Sequence, residues 1–153
     1  MRIAHHAVAK GRSRLVTIGL GSCVAIAIHD RMAQVGGLAH VLLPDASLGR
    51  GVENRARYAS SAVPLLLEEM KELGATGPFA ASIVGGAALF GPLLSFGGSV
   101  GARNIEAARA ALTKARVPVS SEEVGGESGR TVMFDVTTGA VTVRSVRGGE
   151  HVI

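Results

Sequence analysis

The residue with the clearest capacity for covalent chemistry is Cys23, the one cysteine of the chain, which directly follows Gly19-Leu20-Gly21-Ser22. Two glycines allow the backbone to turn tightly there, and they leave main-chain N–H groups directed at the space above the sulfur. The turn therefore predicts a thiol nucleophile beside an oxyanion site formed by backbone N–H groups around Gly21, Ser22 and Cys23.

A base for this thiol is available in His40, which lies near the end of a second apolar segment. Residues 24–28 and 34–43 are apolar enough to form two strands, and pairing them in a hairpin would bring the imidazole beside the thiol. The predicted turn of this hairpin is His29-Asp30-Arg31. A neighbouring imidazolium would favour the thiolate, which predicts fast alkylation of Cys23 at about pH 6.

Simpler interpretations of both residues remain open at this stage. A free cysteine among apolar residues is usually a small buried hydrophobe, and a lone histidine between Ala39 and Val41 is more often a hydrogen-bonded core residue. Only the pairing of Cys23 with His40 favours catalysis, because a nucleophilic thiol needs a base and oxyanion donors.

The composition restricts the class of protein. With 153 residues, 47% hydrophobic and 18% charged, the chain is predicted to form one folded domain without a membrane span. Its 21 glycines favour a sheet-rich fold with many tight turns.

The net charge of +4 comes from scattered basic residues, and aromatic residues make up only 3% of the chain. This composition argues against binding of nucleic acid and suits an acidic protein partner. A polar N-terminal segment and a single cysteine indicate the cytoplasm.

Other site classes lack the residues they need. His5 and His6 have no partners at metal-ligand spacing, and Cys23, His29 and His40 do not form a zinc pattern. A dinucleotide fingerprint would need glycine where Val24 stands, and the phosphate-loop lysine is absent as well. The pairs Gly85-Gly86 and Gly125-Gly126 are interpreted as turns or close backbone contacts, without chemistry.

Strands are predicted from alternation and from β-branched content at residues 3–9 (an edge strand), 15–18, 24–28, 34–43, 79–84, 117–124, 131–136 and 140–146. A turn at Thr138-Gly139 would separate the last two. The strand at residues 24–28 is entirely apolar and should be buried on both faces.

Two helices are predicted. The first has an apolar face at helical spacing and stops at Gly74; the face consists of Ala59, Ala62, Val63, Leu66, Leu67, Met70 and Leu73. Pro64 within it means either that the helix starts near Ser60 or Ser61 or that it kinks. The second takes Asn104 as its N-cap and ends before Pro118; its buried face consists of Ile105, Ala108, Leu112 and Ala115. Residues 45–54 are predicted to be a mobile loop that gates the site, and residues 87–100 a loop.

Several motifs together resemble the bacterial chemoreceptor glutamine deamidases (CheD), and they occur in one order along nearly the whole chain. They are Thr17-Ile18-Gly19-Leu20-Gly21-Ser22-Cys23, Val35-Gly36-Gly37-Leu38-Ala39-His40-Val41-Leu42-Leu43-Pro44, Arg57-Tyr58-Ala59, Gly85-Gly86-Ala87, Gly101-Ala102-Arg103-Asn104 and Gly125-Gly126-Glu127-Ser128-Gly129-Arg130.

The resemblance implies an α+β fold, a layered α/β/β sandwich with two main helices on one side of mixed or antiparallel sheets. It also implies that Cys23, His40 and Thr17 form a catalytic triad; from the residues alone, Thr17 is only a strand residue. The implied activity is deamidation of glutamine side chains on chemoreceptor cytoplasmic helices, with some methyl-ester hydrolysis and no cofactor. The implied second partner is a CheC-type phosphatase, and the rival function is a non-catalytic binding module for the same partners.

Overall fold

The chain forms three layers in a computed structural model that describes residues 1–48, 54–88 and 99–153. One layer contains two helices, the middle layer is a five-stranded sheet and the third is a four-stranded sheet. The elements are β1 (His6–Lys10), β2 (Arg14–Leu20), β3 (Val24–Asp30), β4 (Val35–Val41), α1 (Ala59–Glu72), β5 (Phe79–Gly85), α2 (Val100–Lys114), β6 (Val119–Val124), β7 (Arg130–Asp135), β8 (Val141–Ser145) and β9 (Gly149–Val152). The predicted α+β architecture is confirmed.

The middle layer, called the central sheet below, has the strand order β1-β4-β3-β5-β6. All neighbours in it are antiparallel except β5 and β6, which are parallel and are connected through α2. The outer sheet is antiparallel and has the order β2-β7-β8-β9. The predicted edge strand near the N-terminus is β1, although it begins at His6 rather than at residue 3.

Each face of the central sheet covers a separate core. Towards the helices, Val24, Ile26 and Ile28 of β3 pack against apolar residues of α1 and α2. Towards the outer sheet, Ala25 and Ala27 of the same strand pack against residues such as Val132 and Phe134. The fully apolar sequence of β3 follows from this arrangement, because the strand is covered on both faces.

Helix α1 follows its predicted apolar face, of which Ala59, Ala62, Val63, Leu66 and Met70 are buried. It ends at Glu72, and Gly74 has a φ of +94°, so the predicted stop is confirmed. The helix starts at Ala59, one residue before the predicted region, and Pro64 therefore lies beyond its first turn. Without an N–H, Pro64 leaves the carbonyl of Ser60 without its intrahelical donor.

The predicted start of the second helix was wrong. Helix α2 begins at Val100, and its N-cap is Ser99, whose Oγ accepts a hydrogen bond from the N–H of Ala102 at 3.1 Å. Asn104 lies in the second turn and is completely buried. Its amide therefore does not cap the helix and is free to bond elsewhere.

The hairpin turn was also predicted at the wrong position. His29 and Asp30 still belong to β3, where they pair with Gly36 and Val35, and the chain reverses over residues 31–34. The carboxylate of Asp30 accepts hydrogen bonds from the N–H groups of Ala33, Thr76 and Gly77 at 2.9, 2.9 and 2.7 Å. This fixes the buried carboxylate at the end of the strand.

The remaining predictions agree in outline with the described residues. The strands at 79–84, 117–124, 131–136 and 140–146 correspond to β5, β6, β7 and β8, whereas β9 was missed because its residues are exposed. Within the predicted loop 45–54, short 3-10 helices occur at Ala46–Leu48 and, just after it, at Arg55–Arg57. Residues 49–53 of that loop and 89–98 of the predicted loop 87–100 lie outside the described residues. No helix among the described residues is long and apolar enough to cross a membrane.

Candidate active site

Cys23 lies at the end of the turn between β2 and β3, immediately before the first residue of β3. The turn is attached to the end of β5 by two backbone hydrogen bonds, from the N–H of Gly86 to the carbonyl of Cys23 and from the N–H of Ala87 to the carbonyl of Gly21, each 2.8 Å long. A Cβ atom at Gly85 would collide with the carbonyl oxygen of Cys23. The pair Gly85-Gly86 is thus a close backbone contact with the turn that carries the thiol.

His40 lies on β4, next to β3, with its side chain directed at the outer sheet. It pairs with Ala25, so continuing the register by two residues places Cys23 diagonally across from it on the same sheet face. Diagonal neighbours of this kind are about 7–8 Å apart, within reach of long side chains. The predicted hairpin therefore carries both residues on one face, as its sequence pattern indicated.

The N-terminal segment forms hydrogen bonds with the backbone of His40 on the side opposite β3. The N–H of His40 donates to the carbonyl of His5, and the N–H of Ala4 donates to the carbonyl of His40, both at 2.8 Å. The imidazole is completely buried. These contacts fix the backbone from which the ring projects.

Thr17 reaches the same space from the outer sheet. Its Oγ1 is 2.7 Å from Nδ1 of His40 and lies 3.4 Å from the carbonyl oxygen of Met1, to which it donates. The register of β2 shifts between Thr17 and Leu20, so that Ile18 and Gly19 are both exposed while Thr17 and Leu20 are both buried. This bulge, in which Gly19 has a φ of +74°, keeps Thr17 facing inwards next to the turn.

Burial keeps both reactive groups neutral in the resting protein. It raises the pKa of the Cys23 thiol above its ordinary value, against the opposing effect of the residue's own backbone N–H. Burial, assisted by the positive charges of the N-terminal amino group and His5, lowers the pKa of His40 to about 4. Both shifts favour the neutral thiol and the neutral imidazole over the expected thiolate–imidazolium pair, because the interface between the two sheets disfavours both charges.

Unpaired polar groups converge on the site. Within the described part of the chain, Nε2 of His40 is buried without a hydrogen-bond partner. The backbone N–H groups of Gly21, Ser22 and Cys23 donate to no backbone carbonyl among the described residues. The arrangement thus provides a thiol, an imidazole nitrogen that can accept a proton, and N–H groups near the thiol that can stabilise a developing negative charge.

Asn104 contacts the site but was missed as part of it. Its Nδ2 donates to the carbonyls of Ser22 and Leu42, both at 2.9 Å. The available signal was its spacing, because Asn104 lies one turn before Ala108 and two turns before Leu112, and so falls on the apolar face of α2. A polar residue on such a face requires partners inside the protein.

A groove between the two helices lies away from these residues. It has a volume of about 610 Å³ and runs between α1 and α2, with Pro64, Leu67 and Ala111 in its lining. Neither Cys23, His40 nor Thr17 lines it. The groove is therefore separate from the candidate active site.

Comparison with known proteins identifies the family. A family model described as CheD chemotactic sensory transduction matches residues 42–145. The chain is 43% identical over 138 residues to a probable chemoreceptor glutamine deamidase CheD of Clostridium kluyveri, covering 89% of this chain and 85% of the relative. It is 41% identical over 150 residues to the chemoreceptor glutamine deamidase CheD of Thermotoga maritima, covering 97% and 92%. A probable enzyme of the same name from Pyrococcus abyssi is 40% identical over 149 residues, covering 97% and 91%.

The chain belongs to the CheD family. The family match begins at residue 42, after Thr17, Cys23 and His40, so it does not itself include the three candidate site residues. The alignments with the relatives from Thermotoga and Pyrococcus cover 97% of the chain and therefore extend over the N-terminal region as well.

Proposed function

We propose that this chain is a protein-glutamine deamidase that acts on the cytoplasmic helices of chemoreceptors and uses Cys23 as its nucleophile. The substrate class rests on the names of its relatives, which are chemoreceptor glutamine deamidases. The proposal places the protein in the cytoplasm, where those helices lie, and includes hydrolysis of receptor methyl esters as a lesser activity. The chain's own residues supply the chemical argument.

One observation carries the proposal: a buried imidazole is held at one nitrogen by a hydroxyl and has its other nitrogen unpaired, on the sheet face that also holds the thiol. Nδ1 of His40 is 2.7 Å from Oγ1 of Thr17, and Nε2 has no partner among the described residues. Because the Thr17 hydroxyl donates to the carbonyl of Met1, its oxygen can accept the proton on Nδ1. That leaves the lone pair on Nε2, as a general base requires.

The first half of the reaction forms a thioester. Nε2 of His40 takes the proton of the Cys23 thiol while the sulfur attacks the amide carbon of the glutamine side chain. Backbone N–H groups around Gly21, Ser22 and Cys23 stabilise the negative oxygen of the tetrahedral intermediate. The C–N bond then breaks, and the nitrogen leaves as ammonia with the proton that His40 carried.

The second half regenerates the thiol. His40, neutral again, removes a proton from water, which attacks the thioester carbon and releases a glutamate side chain. The proton passes from His40 to the departing sulfur of Cys23. The net reaction consumes one water and converts the amide to a carboxylate with release of ammonia, while Thr17 keeps the ring in its working tautomer throughout.

The neutral forms of Cys23 and His40 predict how the thiol reacts with iodoacetamide. Since burial raises the pKa of Cys23 and lowers that of His40 to about 4, we expect slow alkylation near neutral pH and a rate that rises only when the solution becomes alkaline enough to form the thiolate. A pH–rate profile of alkylation checks this. A fast, flat profile through acidic pH would instead indicate an ion pair and contradict the general-base mechanism.

The central experiment combines an ammonia-release assay with mass spectrometry of a receptor cytoplasmic fragment. We expect ammonia and a matching glutamine-to-glutamate conversion with the wild-type protein, and neither with Cys23→Ala. A non-catalytic binding module would bind the fragment and release nothing. Loss of activity in Cys23→Ala with retained binding would support the nucleophile, and retained activity would exclude it.

A CheC-type phosphatase remains the proposed second partner, on the basis of the family resemblance alone. Titrating such a phosphatase into the deamidation assay tests the pairing. Inhibition or activation that saturates at a defined ratio would support it, and no change in either binding or turnover would contradict it.

A further inference from the structure

We infer that Asn104 is a positioning residue of the active site: by binding the carbonyl of Ser22, it aims the backbone N–H of Cys23 at the substrate oxygen. The inference rests on the proposed function and adds a residue to it. The hydrogen bonds of Asn104 go to backbone carbonyls and not to the thiol or the imidazole, so its effect on the reaction passes through the backbone of the turn.

The first step of the argument is where the two hydrogen bonds go. The Nδ2 atom of Asn104 has two hydrogens, and both are used, one on the carbonyl of Ser22 and one on the carbonyl of Leu42. Ser22 precedes the nucleophile, and Leu42 follows the candidate base by two residues. The amide therefore joins the two chain segments that carry Cys23 and His40.

The second step is that, among the described residues, no backbone hydrogen bond joins the two segments at this point. The ladder between β3 and β4 ends at the pair Val24 and Val41, and the N–H of Leu42 donates to the carbonyl of Arg57 instead of to the turn. One amide from α2 thus replaces the hydrogen bonds that the ladder would have provided one position further along. The side chain of Asn104 therefore bridges the two segments just beyond the end of the ladder.

The third step concerns the peptide bond between Ser22 and Cys23. A trans peptide is planar, so its C=O and N–H groups point in opposite directions. Asn104 lies in the helix layer and holds the Ser22 carbonyl towards that layer. The N–H of Cys23 must then point away from the helices, towards the sheet interface that contains the thiol and His40.

One further observation agrees with this direction, and a second concerns the amide of Asn104 itself. The backbone N–H of Cys23 interacts with the sulfur of its own side chain and has no backbone acceptor among the described residues. The Oδ1 atom of Asn104 is buried and has no hydrogen-bond partner in the described part of the chain. A buried polar atom without a partner lowers stability, so stability alone does not account for an amide at this position. We therefore attribute the amide to its two donor hydrogens.

The test compares two reactions of the same thiol that differ in their need for an oxyanion site. Acylation of Cys23 by p-nitrophenyl acetate passes through a tetrahedral oxyanion, whereas alkylation by iodoacetamide does not. Asn104→Leu has a similar volume and lacks the donors. We expect it to lower the acylation rate and the kcat of deamidation by roughly 10- to 100-fold while the alkylation rate and KM change little.

A matched control comes from the same helix face. Ala108→Gly loosens α2 one turn further along at a buried position and removes no hydrogen-bond donor, so the two bonds of Asn104 are retained. It should preserve the ratio of acylation to alkylation. If Asn104→Leu does not fold, Asn104→Ser, which retains one small donor, is measured for the same ratio and is expected to lower it less.

The outcomes separate this inference from the proposed function. If Cys23→Ala keeps its deamidase activity, the proposed nucleophile is wrong whatever Asn104 does. If activity depends on Cys23 but the folded Asn104 variant has the same acylation-to-alkylation ratio as Ala108→Gly, only the positioning role is overturned. A parallel fall in acylation and alkylation would also overturn it, because it would show damage to the thiol itself.

Discussion

The two faces of the central sheet differ in the residues they carry, although these alternate along the same strands. Towards the helices, β4 contributes Ala39 and Val41 to a core of apolar residues. Towards the outer sheet, the same strand contributes His40 between them, opposite Thr17. The helix-side face of β4 is therefore apolar, whereas its other face places polar groups within the second core, where their charged forms are disfavoured.

The difference between the two faces shows where a small sheet protein can place reactive groups without destabilising its core. A polar side chain between the helices and the sheet would replace apolar contacts that carry the stability. Between the two sheets, β3 contributes the small residues Ala25 and Ala27, and the Thr17 hydroxyl satisfies one nitrogen of the imidazole. Asn104 is the exception, because it starts in the helix layer and reaches the strand ends.

The largest expected effect is that of replacing Cys23 at the interface between the sheets, which should abolish activity without destabilising the fold. Cys23→Ala removes the only thiol of the chain, so we expect deamidation to fall by about 10³-fold or more. The melting temperature should change little, since only one small side-chain group is lost. Cys23→Ser should be nearly as inactive, because a hydroxyl beside a single histidine is a weaker nucleophile. Comparable activity in either variant would contradict the thiol mechanism.

The opposite effect is expected on the helix side. Leu66 is completely buried in the core between α1 and the central sheet, so Leu66→Ala should lower the free energy of unfolding by about 2–5 kcal/mol. Its specific activity should stay near that of the wild type at temperatures where it is folded. Leu67→Ala, at a half-buried neighbouring position, is the control and should cost less. Urea denaturation measures both, and a specific loss of turnover in folded Leu66→Ala would show that the two faces are not independent.

The helix-side core was predictable because its signals are local. The spacing of apolar residues in α1 and its stop at Gly74 depend only on neighbours in the sequence, and the structure repeats them. The hairpin of β3 and β4 followed from two apolar segments for the same reason, although its turn was placed too early. Asp30 stays in the strand because its carboxylate binds the distant N–H groups of Thr76 and Gly77.

The sheet interface was less predictable because its contacts join distant residues. Thr17 and His40 lie 23 residues apart on different sheets, and only the family resemblance suggested Thr17. Asn104 looked like a cap because asparagine is a good local N-cap, yet its partners are 82 and 62 residues away. The pKa of His40 depends on burial by both sheets, which no sequence pattern contains.

A smaller effect tests the contact between the sheets. Thr17→Val keeps the branched shape but removes the hydroxyl from Nδ1 of His40, so we expect turnover to fall by roughly 10- to 10³-fold with little change in melting temperature. Thr17→Ser keeps the hydroxyl and should keep much of the activity. Kinetics should show the loss in kcat more than in KM, because a misdirected ring affects proton transfer. Full activity in Thr17→Val together with destabilised Thr17→Ser would mean that Thr17 matters only for its shape.

The smallest expected effect concerns the pH dependence of stability that His40 brings to the interface. In the unfolded chain the imidazole has its ordinary pKa of 6.5, whereas in the folded protein burial lowers the pKa to about 4. Between these values the unfolded chain binds more protons than the folded one, so stability falls as the pH falls through this window. The contribution of His40 to the free energy of unfolding should decrease by up to about 3 kcal/mol between neutral pH and pH near 4.

Comparison with His40→Gln isolates this contribution, because glutamine does not titrate. Asp30 also has a lowered pKa, since its backbone N–H donors together outweigh the effect of burial, but its acid-induced loss occurs in both proteins and cancels in the difference. Urea denaturation at several pH values should therefore give a steeper acid loss for the wild type, and the NMR titration of the His40 ring should have its midpoint near the lowered value. Equal pH dependence in the two proteins, with a ring that titrates like a free imidazole, would mean that the interface between the sheets is open to water and does not hold His40 neutral.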